Sequence, residues 1–240
     1  MAVVGVDGCR NGWFAVRLAD DGSWDVGVFK SIGDIADAWK DISLMLVDIP
    51  MGLRDGHDQR ERWCDMQARK LLRPGRASSV FPAPCLEALC SAKYEEASRV
   101  NKALTGRGLS KQSWAICPKI AEADEYVRRT GGPRVREVHP EVCFWALNGK
   151  RAMTSSKKST AGLHERLRLL RSMNVHSDAV VCDALITYPR TEVATDDILD
   201  ALVAAVTALG DEAGLKSIPE DPETDSMGLP MEMVYRDRHE

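Results

Sequence analysis

The stretch Val3 to Leu18 (VVGVDGCRNGWFAVRL) sets a carboxylate inside an apolar run and then turns the chain back on itself. The run Val3–Val6 carries Asp7, breaks at Gly8-Cys9-Arg10-Asn11-Gly12 and resumes as Trp13–Leu18. This pattern predicts a β-hairpin with an acid near the end of its first strand. A charge among strand residues is costly unless a metal or a hydrogen-bond network holds it. Every later acid is therefore weighed by whether it can meet Asp7.

The chain has 240 residues, enough for a substantial core. A hydrophobic content of 44% with 28% charged residues is ordinary for a soluble globular protein. The net charge of -4 does not advertise a polyanion partner, although an acidic protein can still grip nucleic acid with one basic face. Seven dispersed cysteines include no C-x-x-C pair, so neither a zinc site nor a disulfide framework is expected, and a reducing cytoplasm suits them. No apolar run approaches 18 residues, so no membrane span is expected.

Taken in order, 23–30 (SWDVGVFK) alternates as a third strand, and 32–40 resembles a short helix. Leu44–Ile49 is an apolar run of buried-strand length that ends on Asp48, with Pro50 stopping it. From 51 to 132 the pattern turns mainly helical and arginine-rich, which predicts an insertion into a single domain spanning 1–240. Helices are expected over 58–72, near 84–104 and over 117–130. Within 54–76, seven basic residues face four acids, for net +3. Strand character returns at 134–138 with Glu137, and His139-Pro140-Glu141 leads into a helix or bend.

The stretch 150–171 carries net +6, loop-like in its first half and helical in its second. Thr195–Gly210 (TDDILDALVAAVTALG) is the clearest helix, with an apolar stripe and a glycine stop. Asp200 sits at the edge of that stripe, preceded by Asp196 and Asp197. The last 30 residues are acidic, net -6, and MEMVY at 231–235 is a candidate edge strand.

Asp7 and Asp48 each lie near the C-terminal end of a predicted strand, where open α/β sheets place their sites. If those strands are parallel neighbours, their carboxylates repel until a divalent cation binds between them. Oxygen-only ligands favour Mg²⁺ or Mn²⁺ over zinc. Two such ions about 4 Å apart activate water and stabilise the leaving oxygen in phosphodiester cleavage.

The segments GVDGCRNGW, VDIP, RERWCDMQARKLLRPGRASSVFPAP, REVHPEVCFWALNG and DDILDALVAA together resemble the DUF429 family, predicted nucleases of the ribonuclease H-like fold. The resemblance implies an α/β protein with a five-stranded mixed sheet in order 3-2-1-4-5, flanked by helices. It also implies an acid on strand 1, another on strand 4 and one or two on the final helix. Asp197-x-x-Asp200 is similar to the last helix of RuvC-type junction resolvases, whose paired aspartates complete a metal site. Helical geometry places Asp196 nearer the buried edge than Asp197.

The expected activity is therefore a metal-dependent nuclease or phosphodiesterase working by two metal ions. Asp7, Asp48 and Asp200 are its expected metal ligands, and Glu137 or Asp197 completes the catalytic set. Asp197 and Asp200 also have a structural alternative, Asp197 as the helix N-cap with Asp200 at N3, and Glu137 has one as an ion-pair partner of Arg134 or Arg136. Glu141 could reach the site instead of Glu137, and His139 is a candidate proton shuttle. Arg73, Arg76, Lys119, Lys157 and Lys158 are the candidate phosphate contacts. Nucleic acid is the expected partner, of either kind, and the oligomeric state is left open, with a dimer allowed. With aromatics at 6%, no strand face suggests base stacking. Two alternatives are an actin- or sugar-kinase-like phosphotransferase, which needs a second, duplicated domain, and a non-catalytic nucleic-acid-binding module with a vestigial acid cluster.

Overall fold

A computed structural model of the chain describes residues 1–55, 60–129, 132 and 134–238. The opening hairpin is β1 (Ala2–Cys9) and β2 (Gly12–Ala19), paired antiparallel with Asp7 opposite Phe14. β3 (Trp24–Phe29) extends it antiparallel. After α1 (Ile32–Ala38), started by a reciprocal Ser31–Asp34 cap, β4 (Ile42–Val47) returns parallel to β1. β5 (Arg134–Glu137) adds parallel to β4. The sheet order is β3-β2-β1-β4-β5, the mixed five-stranded arrangement of a ribonuclease H-like fold.

Between β4 and β5 run α2 (Trp63–Leu71), α3 (Leu86–Leu89), α4 (Tyr94–Thr105) and α5 (Lys111–Arg129). The helix expected over 58–72 begins at Trp63, where Arg62 turns inward, while 58 and 59 lie outside the described residues. The helix expected near 84–104 is two, broken between Cys90 and Lys93. The one expected over 117–130 starts at Lys111, because Ser110 Oγ accepts from Ser113 N at 2.9 Å; it carries Pro118 inside, and residue 130 lies outside the described residues. Cys85, Ala88, Ala97 and Leu109 give these helices a small core of their own.

After β5 come α6 (Pro140–Leu147), α7 (Thr160–Met173), α8 (Ser177–Thr187) and α9 (Thr195–Ala208). The 231–235 segment supplies β7 (Met233–Tyr235), which pairs with β6 (Lys216–Ile218) in a separate two-stranded sheet.

Alternate strand residues feed two cores. Phe14, Val16, Leu44 and Leu46 pack with α6–α9, while Val4, Val6, Met45 and Val47 pack with α1 and α5. α9 is the central helix: every residue from Ile198 to Ala208 is buried. Each large apolar side chain removed from water contributes about 1.5–3 kcal/mol, so the helix anchors that face. It rests directly on β1 at Gly5, where a Cβ would lie 2.1 Å from both Ala201 O and Ala205 N. Among the described residues no helix is long and apolar enough to cross a membrane.

Candidate metal centre

Three positions bring the acids together. Asp7 follows Val6 on β1, and Asp48 follows Val47 on β4, with Val6 and Val47 side by side in register. Asp48 N donates to Val6 O at 2.9 Å, which continues the pairing one residue past the strand. Both carboxylates then point to the face opposite Val6 and Val47, the face on which α9 lies. The close contact at Gly5 sets α9 against β1, with Asp200 one residue before Ala201. One carboxylate oxygen from each of Asp7, Asp48 and Asp200 lies within 4.8 Å of the others. Asp200 is 3% exposed and Asp7 9%.

Such crowding disfavours ionisation. Burial first, then the charges of Asp48 and Asp200, hold the Asp7 carboxyl well above its ordinary range. Burial and Asp200 push Asp48 up to about 7, against the pull of Lys157. Burial raises Asp200 too, again opposed by Lys157. Lys157 Nζ lies 2.8 Å from Asp200 Oδ2 and 3.6 Å from Asp196 Oδ2. Burial works against the Lys157 charge, but Asp200, Asp7 and Asp48 outweigh it and raise its pKa. Lys157, expected as a phosphate contact, thus rests on the acids.

Glu137 also lines the cavity beside the triad but is not among the three acids whose oxygens converge. It pairs in register with Val47, so the pleat turns it to the opposite face from Asp7 and Asp48. There Arg62 Nη1 and Nη2 donate to its two oxygens at 2.8 and 2.9 Å, and Met51 N donates at 2.6 Å. Asp65 completes this buried cluster through Arg62 Nη2 at 2.6 Å. Burial pushes Glu137 up to about 7 although Arg62 draws it down. Its partner is Arg62, not Arg134 or Arg136; Arg136 instead meets Glu232.

Asp197 Oδ2 accepts from Ala194 N at 2.9 Å: the N-cap is Ala194 and Asp197 is the third residue of α9, one capping register earlier than the expected Asp197 N-cap with Asp200 at N3. Burial pushes Asp197 up to about 6. Asp196 Oδ2 lies 3.6 Å from Lys157 Nζ, and Asp196 and Asp197 are both half-buried, so Asp196 is not set apart at the buried edge.

Beside the triad opens a cavity of about 290 Å³, reached by Asp7, Asp48, Lys119, His139, Glu141 and Lys157. Lys119 enters from α5: its Nζ donates to Gly12 O and lies 4.5 Å from the centre of the Trp13 ring. Burial lowers its pKa. His139 Nε2 is 3.3 Å from Ser79 O, and burial lowers the His139 pKa. Arg73 and Lys158 are exposed away from the cavity, and Arg76 Nε donates to Met153 O at 3.0 Å. All seven cysteines are free, five of them buried.

Arg62 and Arg166 are the residues that sequence reasoning did not single out. Arg166 is 0% exposed; its Nη2 donates to Glu141 Oε1, and its Nη1 to Ser155 O and Gly162 O at 3.2 Å each. Local partners, Asp65 and Gly162 O, did not reveal either role, because the acid that each arginine holds at the cavity is distant: Glu137 lies 75 residues from Arg62 and Glu141 25 from Arg166. For Glu141 a cue existed: Pro140 opens α6, which places the first turn beside the end of β5.

The donor set at the triad is entirely carboxylate oxygen, convergent, buried and mutually repelling. It suits a hard divalent cation such as Mg²⁺ or Mn²⁺.

No curated protein and no solved structure matches the chain. A family model described as "Protein of unknown function (DUF429)" matches residues 5–224. With that match across most of its length, the chain belongs to the DUF429 family.

Proposed function

We propose that this protein is a metal-dependent nuclease or related phosphodiesterase of the cytoplasm, built as one ribonuclease H-like domain with 51–132 as a helical insertion. The observation that carries the reading is the convergence of Asp7, Asp48 and Asp200 within 4.8 Å beside an open cavity. These three would hold Mg²⁺ or Mn²⁺. Bound there, a divalent cation supplies Lewis acidity toward water and toward the phosphate oxygens. The chain's own residues do the rest. Gly8 N donates to Asp7 Oδ1 at 2.7 Å and fixes the carboxylate's orientation. Lys119 and Lys157 flank the cavity as cations for substrate phosphates, while Arg73, Arg76 and Lys158 lie farther out for a longer polyanion.

The test is Mn²⁺-dependent cleavage of single- and double-stranded DNA and RNA by the purified chain. Asp7→Asn is expected to abolish cleavage and leave the melting curve nearly unchanged. Cleavage retained by that variant refutes the reading.

Lys157 favours a second reading, a nucleic-acid-binding module whose acids are neutralised by an internal ammonium rather than a metal. Calorimetry separates the two: nucleic-acid binding without Mn²⁺ uptake, persisting when Asp7 and Asp48 are both made Asn, selects the module. The kinase-like alternative needs a duplicated domain, whereas the described residues contain one five-stranded sheet and a two-stranded ribbon.

A further inference from the structure

Among the described residues that line the cavity, Glu141 is the carboxylate with an oxygen that is both buried and without a hydrogen-bond partner. The residue is 5% exposed, at the first turn of α6, and lines the same cavity as the triad. Its Oε1 is held by Arg166, while its Oε2 is buried with no hydrogen-bond partner among the described residues. A buried carboxylate oxygen without a donor is costly, because it has lost its water and gained no partner. Glu141 shares that cavity with Asp7, Asp48 and Asp200. Yet it stands outside the group of three whose oxygens all fall within 4.8 Å. A buried oxygen of a cavity-lining carboxylate that stands outside the converging triad and has no donor is suited to an adjacent ion.

Arg166 gives this carboxylate the support of a metal ligand. Its guanidinium is fully buried, fixes Oε1, and lies 5.3 Å from the centre of the Phe144 ring. Ligating carboxylates are commonly held by such a partner, which orients the free oxygen.

We infer that Glu141, through Oε2, is the protein ligand of a second divalent cation next to the one held by Asp7, Asp48 and Asp200. The inference rests on the metal reading above. It replaces Glu137, which faces the other side of the sheet, and Asp197, which caps its helix, as the fourth carboxylate.

The probe is Mn²⁺ alone, followed by calorimetry and by electron paramagnetic resonance of the bound ions. The unmodified chain is expected to take up two Mn²⁺ with the spin coupling of a close pair. Glu141→Gln keeps an acceptor for Arg166 and is expected to bind one Mn²⁺ normally and the second at least about ten-fold more weakly, without coupling. Two coupled ions in Glu141→Gln overturn the inference and leave the triad site standing. No Mn²⁺ uptake by the unmodified chain overturns both. Should Glu141→Gln misfold, Mn²⁺-soaked crystals of the unmodified chain decide the matter. An anomalous peak about 2.1 Å from Glu141 Oε2 supports the inference, and peaks that leave Glu141 unligated refute it.

Discussion

The Lys157 ammonium stands 2.8 Å from Asp200 Oδ2 and 3.6 Å from Asp196 Oδ2, so a basic loop residue closes on the acids of the central helix. A cation entering the triad must work against that charge. At an effective dielectric near 20, two unit charges 4 Å apart interact by about 4 kcal/mol, an upper bound for this competition. Lys157→Met is therefore expected to tighten Mn²⁺ binding by on the order of ten-fold and to lower the melting temperature of the metal-free protein. Calorimetry and thermal melts measure both, and an unchanged affinity would show that the ammonium does not compete.

The raised carboxyls predict a pH dependence. Folding lifts Asp48 from its ordinary value near 3.8 to about 7, and Asp7 and Asp200 also move upward. The folded, metal-free protein thus keeps protons that the unfolded chain releases. The stability these groups contribute is complete below about pH 4 and is lost as pH rises through about 7. Metal binding needs the ionised carboxylates, so its stabilisation runs the other way. The rise in melting temperature on adding Mn²⁺ should be larger at pH 8 than at pH 5.5; an equal rise at both would contradict the assignment.

Glu137 and Arg62 test structure against chemistry. Removing one partner of a buried ion pair costs about 3–5 kcal/mol, because the other charge is left without compensation. Glu137→Ala is expected to lose stability of that order in urea denaturation and to retain the Mn²⁺ stoichiometry of the unmodified chain. A lost Mn²⁺ equivalent in a folded Glu137→Ala would return this residue to the metal centre.

At Gly5 a single methyl group is the probe. An added Cβ would meet Ala201 O and Ala205 N at 2.1 Å, both main-chain atoms of α9. Overpacking of this kind costs about 1–3 kcal/mol. Gly5→Ala should be destabilised by that amount and should bind Mn²⁺ more weakly, since the displaced helix carries Asp200. Unaltered Mn²⁺ affinity would mean that the triad tolerates a shift of α9.

Asp7, Asp48 and Asp200 were readable because each sits in a periodic segment: two apolar runs that end on an acid and one helix with a continuous apolar stripe. The sheet order followed from family resemblance rather than from periodicity. Glu137 could not be judged from spacing, because its face depends on the β4–β5 register, and a shift of one residue would send it to the other side. Asp197 and Asp200 look alike in sequence and part only through the Ala194 N–H, which claims the former. The arginines were the least legible: Arg62 reaches 75 residues along the chain to Glu137, and Arg166 reaches 25 back to Glu141. α8, apolar without a clear stripe, gave periodicity little to detect.

Arg166 grips Glu141 with one nitrogen and, with the other, the Ser155 carbonyl of the loop that carries Lys157. At Gly162 a Cβ would lie 1.9 Å from Ser156 O, so that loop is seated against α7 with no room between them. The idle carboxylate oxygen and the tethered ammonium therefore share one mechanical joint. A ligand that draws Lys157 away tugs on the pin that orients Glu141, and by reciprocity an ion that captures Glu141 changes how firmly the loop is held.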